Sequence, residues 1–418
     1  MPNVVLENQV LIGEENYIWA DFAKSDLSNP SNSSTDSPVA FIVDDAESSF
    51  KILMQMRRKK LDGMIILRSR MTVTVKKMLE KNEYSIFDSK TRKWEYLTKS
   101  EKFPNRISLL TSGTTGTPKL LHHTWDSINT SSSLKRLEPR NWLLPYQIGT
   151  YAWFQLVTLS MFSKNQNITI CEDTDLVKIF RLAYLHRVDA ISATPTFWRM
   201  ALMQVPIEIL SSFEFKQITL GGEIVDQNIL DSLQAMYPTS RITHIYASTE
   251  AGASIVVNDG KSGFPESLLS TNGETVSLKI EDGVLFIRSK FAAMNSHDGG
   301  GWVNTRDRVE CESGRIFIKG RADSSLINVG GSKAYPSDIE AVILSHESVD
   351  WCRVRAVKAP FLGNLPQADL KLNTSMELDE VERIMISFCS ERLPEYAVPR
   401  VWNLLDKIPI SENLKAEL

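Results

Sequence analysis

The sequence predicts an α/β protein: a large N-terminal α/β domain with parallel or mixed sheets and a β-hairpin region, then a small α+β C-terminal domain. Three observations carry this. Between residues 106 and 250, short apolar runs alternate with amphipathic helical text, the pattern of strands covered on both faces by helices. Polar clusters (TSGTTG, ATPT, GGE and YASTE) close those apolar runs, at the carboxyl ends of strands where such sheets bind ligands. After residue 270, apolar runs pair around Asp-Gly and Ser-Gly, a hairpin signal.

The elements follow in order. Residues 26–40, rich in Ser, Asn, Pro and Asp, read as a surface loop or tether. FIVDD and GMIIL open the α/β text. ISLLTS (107–112) reads as a strand and 121–137 as a helix. NITIC is a strand and DLVKIFRLAYLHRV a helix. DAISATP is a strand, PTFWRMALMQV a helix, QITLGGE a strand, VDQNILDSLQAMYP a helix and RITHIYASTE a strand. VSLKI with VLFIRS, and WVNTRDRVE with RIFIKG, form two hairpins. The turn-prone KGRADS (319–324) is a linker. Beyond it, Pro336 precedes a capping-box pattern, Ser337 to Glu340. DWCRVRAVKAP and ADLKLN are strand-like, and LDEVERIMISFCSERL is an amphipathic helix. The expected division is 1–320 for the large domain, 321–323 for a hinge and 324–418 for the small domain.

Composition excludes several classes. With 42% hydrophobic and 23% charged residues, the chain has an ordinary globular balance. Net charge is −4, and the densest basic run, Arg57 to Lys60, reads as a solvated helix face. A nucleic-acid partner is therefore not expected. No apolar window reaches the length of a membrane span. The N-terminus lacks signal-peptide character, and the four cysteines are scattered. That combination predicts reduced thiols and a cytoplasmic location. His122 and His123 are adjacent, which is not a metal-ligand spacing.

TSGTTGTPK (111–119) concentrates small hydroxyls, two glycines and one lysine after a strand. Glycines let backbone N–H groups turn inward around an anion, and a lysine supplies a point charge for phosphate. It is not a Walker loop: Pro118 stands where a glycine is needed, and Leu120 replaces the magnesium-binding hydroxyl. The nine residues resemble the phosphate loop of the acyl-adenylate-forming superfamily, which includes acyl-CoA synthetases, aryl-acid ligases and peptide-synthetase adenylation domains. Further motifs occur in that family's order: Gly221-Gly222-Glu223, YASTE (246–250), GWVNTRDRV, KGRADSSLINVGGSKAYPSDIE and IPISENLKAEL. The chain departs from the family pattern at Leu120, Ala247, Arg306 and Leu414, each where glycine is usual.

The resemblance implies roles. Thr111, Ser112, Gly113, Thr114, Thr115, Gly116 and Lys119 would hold the phosphates of ATP. Gly221, Gly222 and Glu223 would lie along adenine, and Tyr246 would stack on it. Thr249 would reach the α-phosphate, and Glu250 would bind Mg²⁺. Asp307 and Arg321 would take the ribose. Asp323 would be the hinge of a mobile lid, Gly330 and Gly331 part of a loop that swings in, and Lys415 the mobile catalytic lysine. The reaction implied is attack of a carboxylate on ATP to give acyl-AMP and pyrophosphate, then transfer to the thiol of CoA or of a carrier protein's phosphopantetheine. No Asp or Glu occurs from Asn141 through Cys171, where amino-acid-activating members place an aspartate, so an aryl or compact apolar acid is favoured. Tyr146, Tyr151, Trp153, Phe197 and Gly222 are the candidate pocket. Only 108 residues precede Leu109, where the stretch leading into the phosphate loop opens, and relatives usually carry a longer segment there. The alternative is a degenerate, non-catalytic relative that binds a nucleotide or an acyl group.

Overall fold

The computed structural model describes residues 3–24, 37–95, 105–111, 118–133, 137–270, 273, 275–322, 326–329, 332–359 and 363–409. Ser112 to Gly116, Asp323, Gly330, Gly331 and Lys415 lie outside them, as does most of the 26–40 tether.

Two sheets form the large α/β part. In the first, the strands Arg241–Ser248, Gln217–Gly221, Ala190–Ala193, Arg140–Leu143, Gln166–Ile170 and Gln9–Ile12 lie side by side, all parallel. Antiparallel Gly252–Val257 and Glu15–Ile18 close its edges. The second sheet runs Lys93–Glu95, Ser85–Asp88, Val39–Val43, Gly63–Leu67, Arg106–Thr111, Lys119–Thr124. Its central strand, Val39–Val43, is buried along its whole length, as a covered parallel strand must be. Between the sheets lies an aromatic core in which Trp153 stacks on Phe50 at 5.8 Å and Trp19 meets Phe50 edge-on.

Helix starts follow the expected cap chemistry. Asp175 accepts from the Val177 and Lys178 amides, Thr194 caps a helix opening on Pro195, and Asp226 caps Gln227–Met236. The two hairpins after residue 270 form one antiparallel five-stranded sheet with Phe264–Pro265. Their turns place Asp282-Gly283 and Ser313-Gly314 at positive φ, as two-residue hairpin turns require.

The C-terminal part is a sheet of Ser332–Ala334, Ile327–Val329, Gly363–Leu372 and Val349–Ala359, with Val401–Leu404 parallel to Gly363–Leu372. Its core is separate, built around Trp402, Ile339 and Met385. Trp351 and Ile408 instead join the large domain's cluster with Trp198 and Phe215. Arg308 clamps the junction: it pairs with Asp338 at 2.7 Å and lies over the Tyr335 ring at 3.8 Å.

Three expectations are corrected, and one helix goes unread in the sequence. Residues 121–137 are not one helix. Lys119–Thr124 is a strand paired antiparallel with Arg106–Thr111, followed by a short helix Trp125–Ile128 and a 3₁₀ turn Thr130–Ser133. The pairing partner decides, and local text cannot see it. The capping box falls elsewhere too. Ser337 donates to the Lys319 carbonyl and Glu340 accepts from the Val354 amide, while Thr124 and Ser127 form a reciprocal box. In the basic run, Arg58, Lys59 and Lys60 are exposed as expected, but Arg57 is part-buried: its guanidinium lies 5.3 Å over Trp125 and 5.4 Å over Phe162, a cation–π seat at the edge of the core. Finally, Tyr151–Phe162 is a helix buried on nearly all sides, so it lacks the amphipathic period that would have revealed it.

Candidate active site

Among the described residues, three of the motifs meet at the carboxyl end of Arg241–Ser248. Tyr246, on that strand, donates its hydroxyl hydrogen to Asp307 Oδ2. Arg321 Nη1 sits 3.3 Å from Asp307 Oδ1. Asp307 and Arg321 are register partners on neighbouring strands of the antiparallel sheet, so two sheets meet in this cluster. Burial lifts the Asp307 carboxyl above its ordinary range, and the nearby Glu250 adds to that; Tyr246 and Arg321 pull the other way. Burial first, and then the Asp307 charge, raises the Tyr246 phenol well above its usual value. The shared proton therefore stays on Tyr246, and Asp307 keeps further oxygen lone pairs for other donors.

Arg306 occupies the position where glycine is usual in the resembled family, and it adopts φ +60°. Its carbonyl accepts from the Ala322 amide at 2.6 Å. The residue is exposed, and the departure from glycine strains its backbone. A left-handed conformation costs a residue with a Cβ about 1–2 kcal/mol, partly offset by glycine's greater freedom when unfolded. Arg306→Gly is therefore expected to raise stability by up to about 1 kcal/mol, read as a higher urea midpoint with unchanged slope.

The Thr249–Glu250 turn is held from behind. His123 Nε2 meets the Thr249 carbonyl at 2.8 Å. The Glu250 carbonyl accepts from the Ala293 amide at 2.9 Å and from Ser296 Oγ at 2.7 Å. The same loop stitches onto the strand carrying Lys119, since Asn295 bonds His122 N and Leu120 O, and Met294 N donates to His122 O at 2.7 Å. Gly252 takes φ +82°, and a Cβ there would sit 2.6 Å from that of Phe291; only glycine permits this approach. Thr111 and Lys119 are register partners at the mouth of their hairpin, with Lys119 exposed.

Other predicted residues are placed differently. Gly222 is exposed at φ +85°, suiting close approach of a flat ligand. The Glu223 carboxylate accepts from the Thr196 amide at 2.9 Å, at the start of the helix Pro195–Gln204. Tyr146 shares a hydrogen bond with Ser192 Oγ at 3.1 Å, at the end of a strand. Tyr151 is buried, and its hydroxyl accepts from the Ala253 amide at 3.0 Å, beneath the turn. Trp153 and Phe197 are corrected: each is 1% exposed and packed among aromatic rings, so both are core and not pocket wall. Sequence reasoning missed His123, Asn295 and Ser296. They carry no motif, because their partners are backbone atoms more than 40 residues away.

The donor set suits a magnesium–nucleotide. Among the described residues, no group of three or more His, Cys, Asp or Glu could form a metal cage. Mg²⁺ typically takes one or two carboxylates and completes its shell with phosphates and water. Glu250 is part-exposed, and no ion pair among the described residues engages it. No helix of the described residues is long and apolar enough to cross a membrane.

Fold and site together define a two-part α/β protein whose polar motif residues gather at one strand end. The AMP-binding enzyme family matches residues 29–280, more than half of the chain, and the chain belongs to that family. A 2-succinylbenzoate–CoA ligase of Bacillus licheniformis is 23% identical over 72% of this chain and 66% of its own length. The match thus spans just under two thirds of that relative. The o-succinylbenzoate CoA synthetase of Bacillus subtilis, solved with its acyl-adenylate intermediate and with ATP and magnesium, superposes with TM-scores of 0.67 and 0.68. Identity is 18%, covering 100% of this chain and 97–98% of that one. An anthranilate CoA ligase in complex with anthranoyl-AMP superposes at TM-score 0.70 and 14% identity, over 99% of this chain and 93% of that one. These structural likenesses show the fold.

Proposed function

We propose that this chain is an ATP-dependent acid–thiol ligase. The observation that carries the reading is the Tyr246–Asp307–Arg321 cluster beside Glu250, assembled from two sheets at one strand end. A carboxylate oxygen of the substrate attacks the α-phosphorus of ATP; pyrophosphate leaves and acyl-AMP forms. A thiol sulfur then attacks the acyl carbon, its proton is lost, and AMP leaves. The transition state of the first step gathers charge on phosphate oxygens, so positioning and electrostatics supply the catalysis.

The roles follow. Lys119, with Thr111 to Gly116, binds the phosphates. Tyr246 offers its ring to adenine, Gly222 lets backbone lie along the base, and Asp307 and Arg321 bind the ribose. Thr249 donates to the α-phosphate. Mg²⁺, held by Glu250, neutralises phosphate charge when bound. Lys415 serves the adenylation step, and residues 321–323 are the hinge for exchanging it against the loop at 330–331.

The acid is an aryl or compact apolar one. Tyr146 and the Gly221–Gly222 turn border the expected pocket, and the similar proteins are named for 2-succinylbenzoate and anthranilate. Because those relatives are CoA ligases, CoA is favoured over a carrier protein as acceptor.

The test is carboxylate-dependent ATP–pyrophosphate exchange across benzoates, fatty acids and amino acids. Exchange is expected with an aryl acid and is expected to vanish in Lys415→Ala. Exchange with no acid, despite Mg·ATP binding, would instead identify a non-catalytic nucleotide-binding relative.

A further inference from the structure

We propose that His123 is a positioning residue that fixes the Thr249–Glu250 turn, and through it the aim of the phosphate- and metal-binding groups. This rests on the adenylation reading above.

The argument is one of hydrogen-bond accounting. His123 is fully buried on the strand Lys119–Thr124. Its Nε2 faces the Thr249 carbonyl, which can only accept, so Nε2 carries the hydrogen. Nδ1 lies 3.0 Å from Ser127 Oγ and is left as the acceptor of that hydroxyl. Ser127 Oγ in turn accepts from the Thr124 amide at 3.0 Å. One tautomer satisfies both ring nitrogens, with the Ser127 hydroxyl nearer to Nδ1, at 3.0 Å, than to the Thr124 carbonyl, at 3.4 Å, and burial holds the ring neutral by pushing its pKa down to about 4.

The chain of bonds runs from a helix start, through a buried ring, to a carbonyl 126 residues away. The ring lies 5.6 Å from Tyr151, which holds the Ala253 amide on the far side of the turn. With Ala293 and Ser296 on the Glu250 carbonyl, the backbone at 249, 250 and 253 is held at three points. The side chains of Thr249 and Glu250 take no part in these bonds and are left to face a ligand. A displacement of about 1 Å at such a turn can cost about a hundredfold in rate.

The experiment compares His123→Leu, His123→Gln and Ser127→Ala with the wild type. Gln reproduces an N–H donor near the Nε2 position; Leu does not. Three quantities are read: exchange rate, the Mg²⁺ concentration for half-maximal exchange, and Mg²⁺-dependent binding of a fluorescent ATP analogue. Leu is expected to slow exchange about ten- to a hundredfold and to raise the Mg²⁺ requirement. Gln is expected to restore both. Ser127→Ala, which keeps the ring and frees its tautomer, is expected to shift both in the same direction but less, so the idea stays testable if the Leu variant does not fold. Equal losses in Leu and Gln, or an unchanged Mg²⁺ requirement in Leu and Ser127→Ala, would overturn the inference alone. If the wild type binds the analogue but exchanges with no acid, the ligase reading falls, and the Mg²⁺ dependence of binding still decides on His123.

Discussion

Asp307→Ala is expected to slow ATP–pyrophosphate exchange by about a hundredfold or more while leaving the protein folded. The carboxylate would give the ribose two charge-assisted hydrogen bonds, each worth about 1.5–3 kcal/mol, and each 1.36 kcal/mol is tenfold in rate. The stability cost is smaller than for a buried pair. The Arg321 side chain is 38% exposed against 11% for Asp307, so the guanidinium left behind is solvated by water and not stranded. The Tyr246 hydroxyl loses its Asp307 acceptor but keeps Thr305 beside it, so its cost falls at the low end of about 1–3 kcal/mol. Tyr246→Phe separates the contributions: it keeps the ring for adenine, removes only the hydroxyl, and should slow exchange no more than about tenfold. Nucleotide affinity, exchange rate and urea midpoint measured on both variants check this. If the two lose exchange equally, Asp307 acts by holding Tyr246 and not by holding ribose.

That cluster shows what was legible in the sequence. The residue types were readable, because strand ends in an alternating α/β pattern are where ligand groups gather. The Tyr246–Asp307 bond was not, because the two residues are 61 positions apart and lie in different sheets. Strand positions from Gln166 to Ser248 followed from apolar runs closed by polar turns. Where the reading failed, a distant partner had taken over. Ser337 and Glu340 have capping-box spacing, yet Lys319 and Val354 claim them. The text after Lys119 is helix-compatible, yet Arg106–Thr111 offers it a complete antiparallel ladder. His123 was weighed only as a metal ligand, although its partner is a carbonyl that no motif encodes.

Trp153 carries the other large prediction, and it divides core from pocket. Aromatic residues after Asn141 could line an acid site or fill an interior, and composition does not distinguish the two. The structure places Trp153 at 1% exposure, stacked on Phe50 with ring planes 8° apart and edge-on to Phe154 at 4.9 Å. Trp153→Ala should therefore cost about 3–5 kcal/mol, seen as a lower urea midpoint. Molecules that remain folded should keep the wild-type order of preference among acids. Tyr146→Phe should do the reverse. It removes one part-buried hydroxyl that bonds Ser192, costs about 1 kcal/mol of stability, and shifts the KM for the acid because it borders the expected pocket. A changed acid preference in Trp153→Ala, with stability intact, would return Trp153 to the pocket wall and show that the helix Tyr151–Phe162 opens toward the substrate.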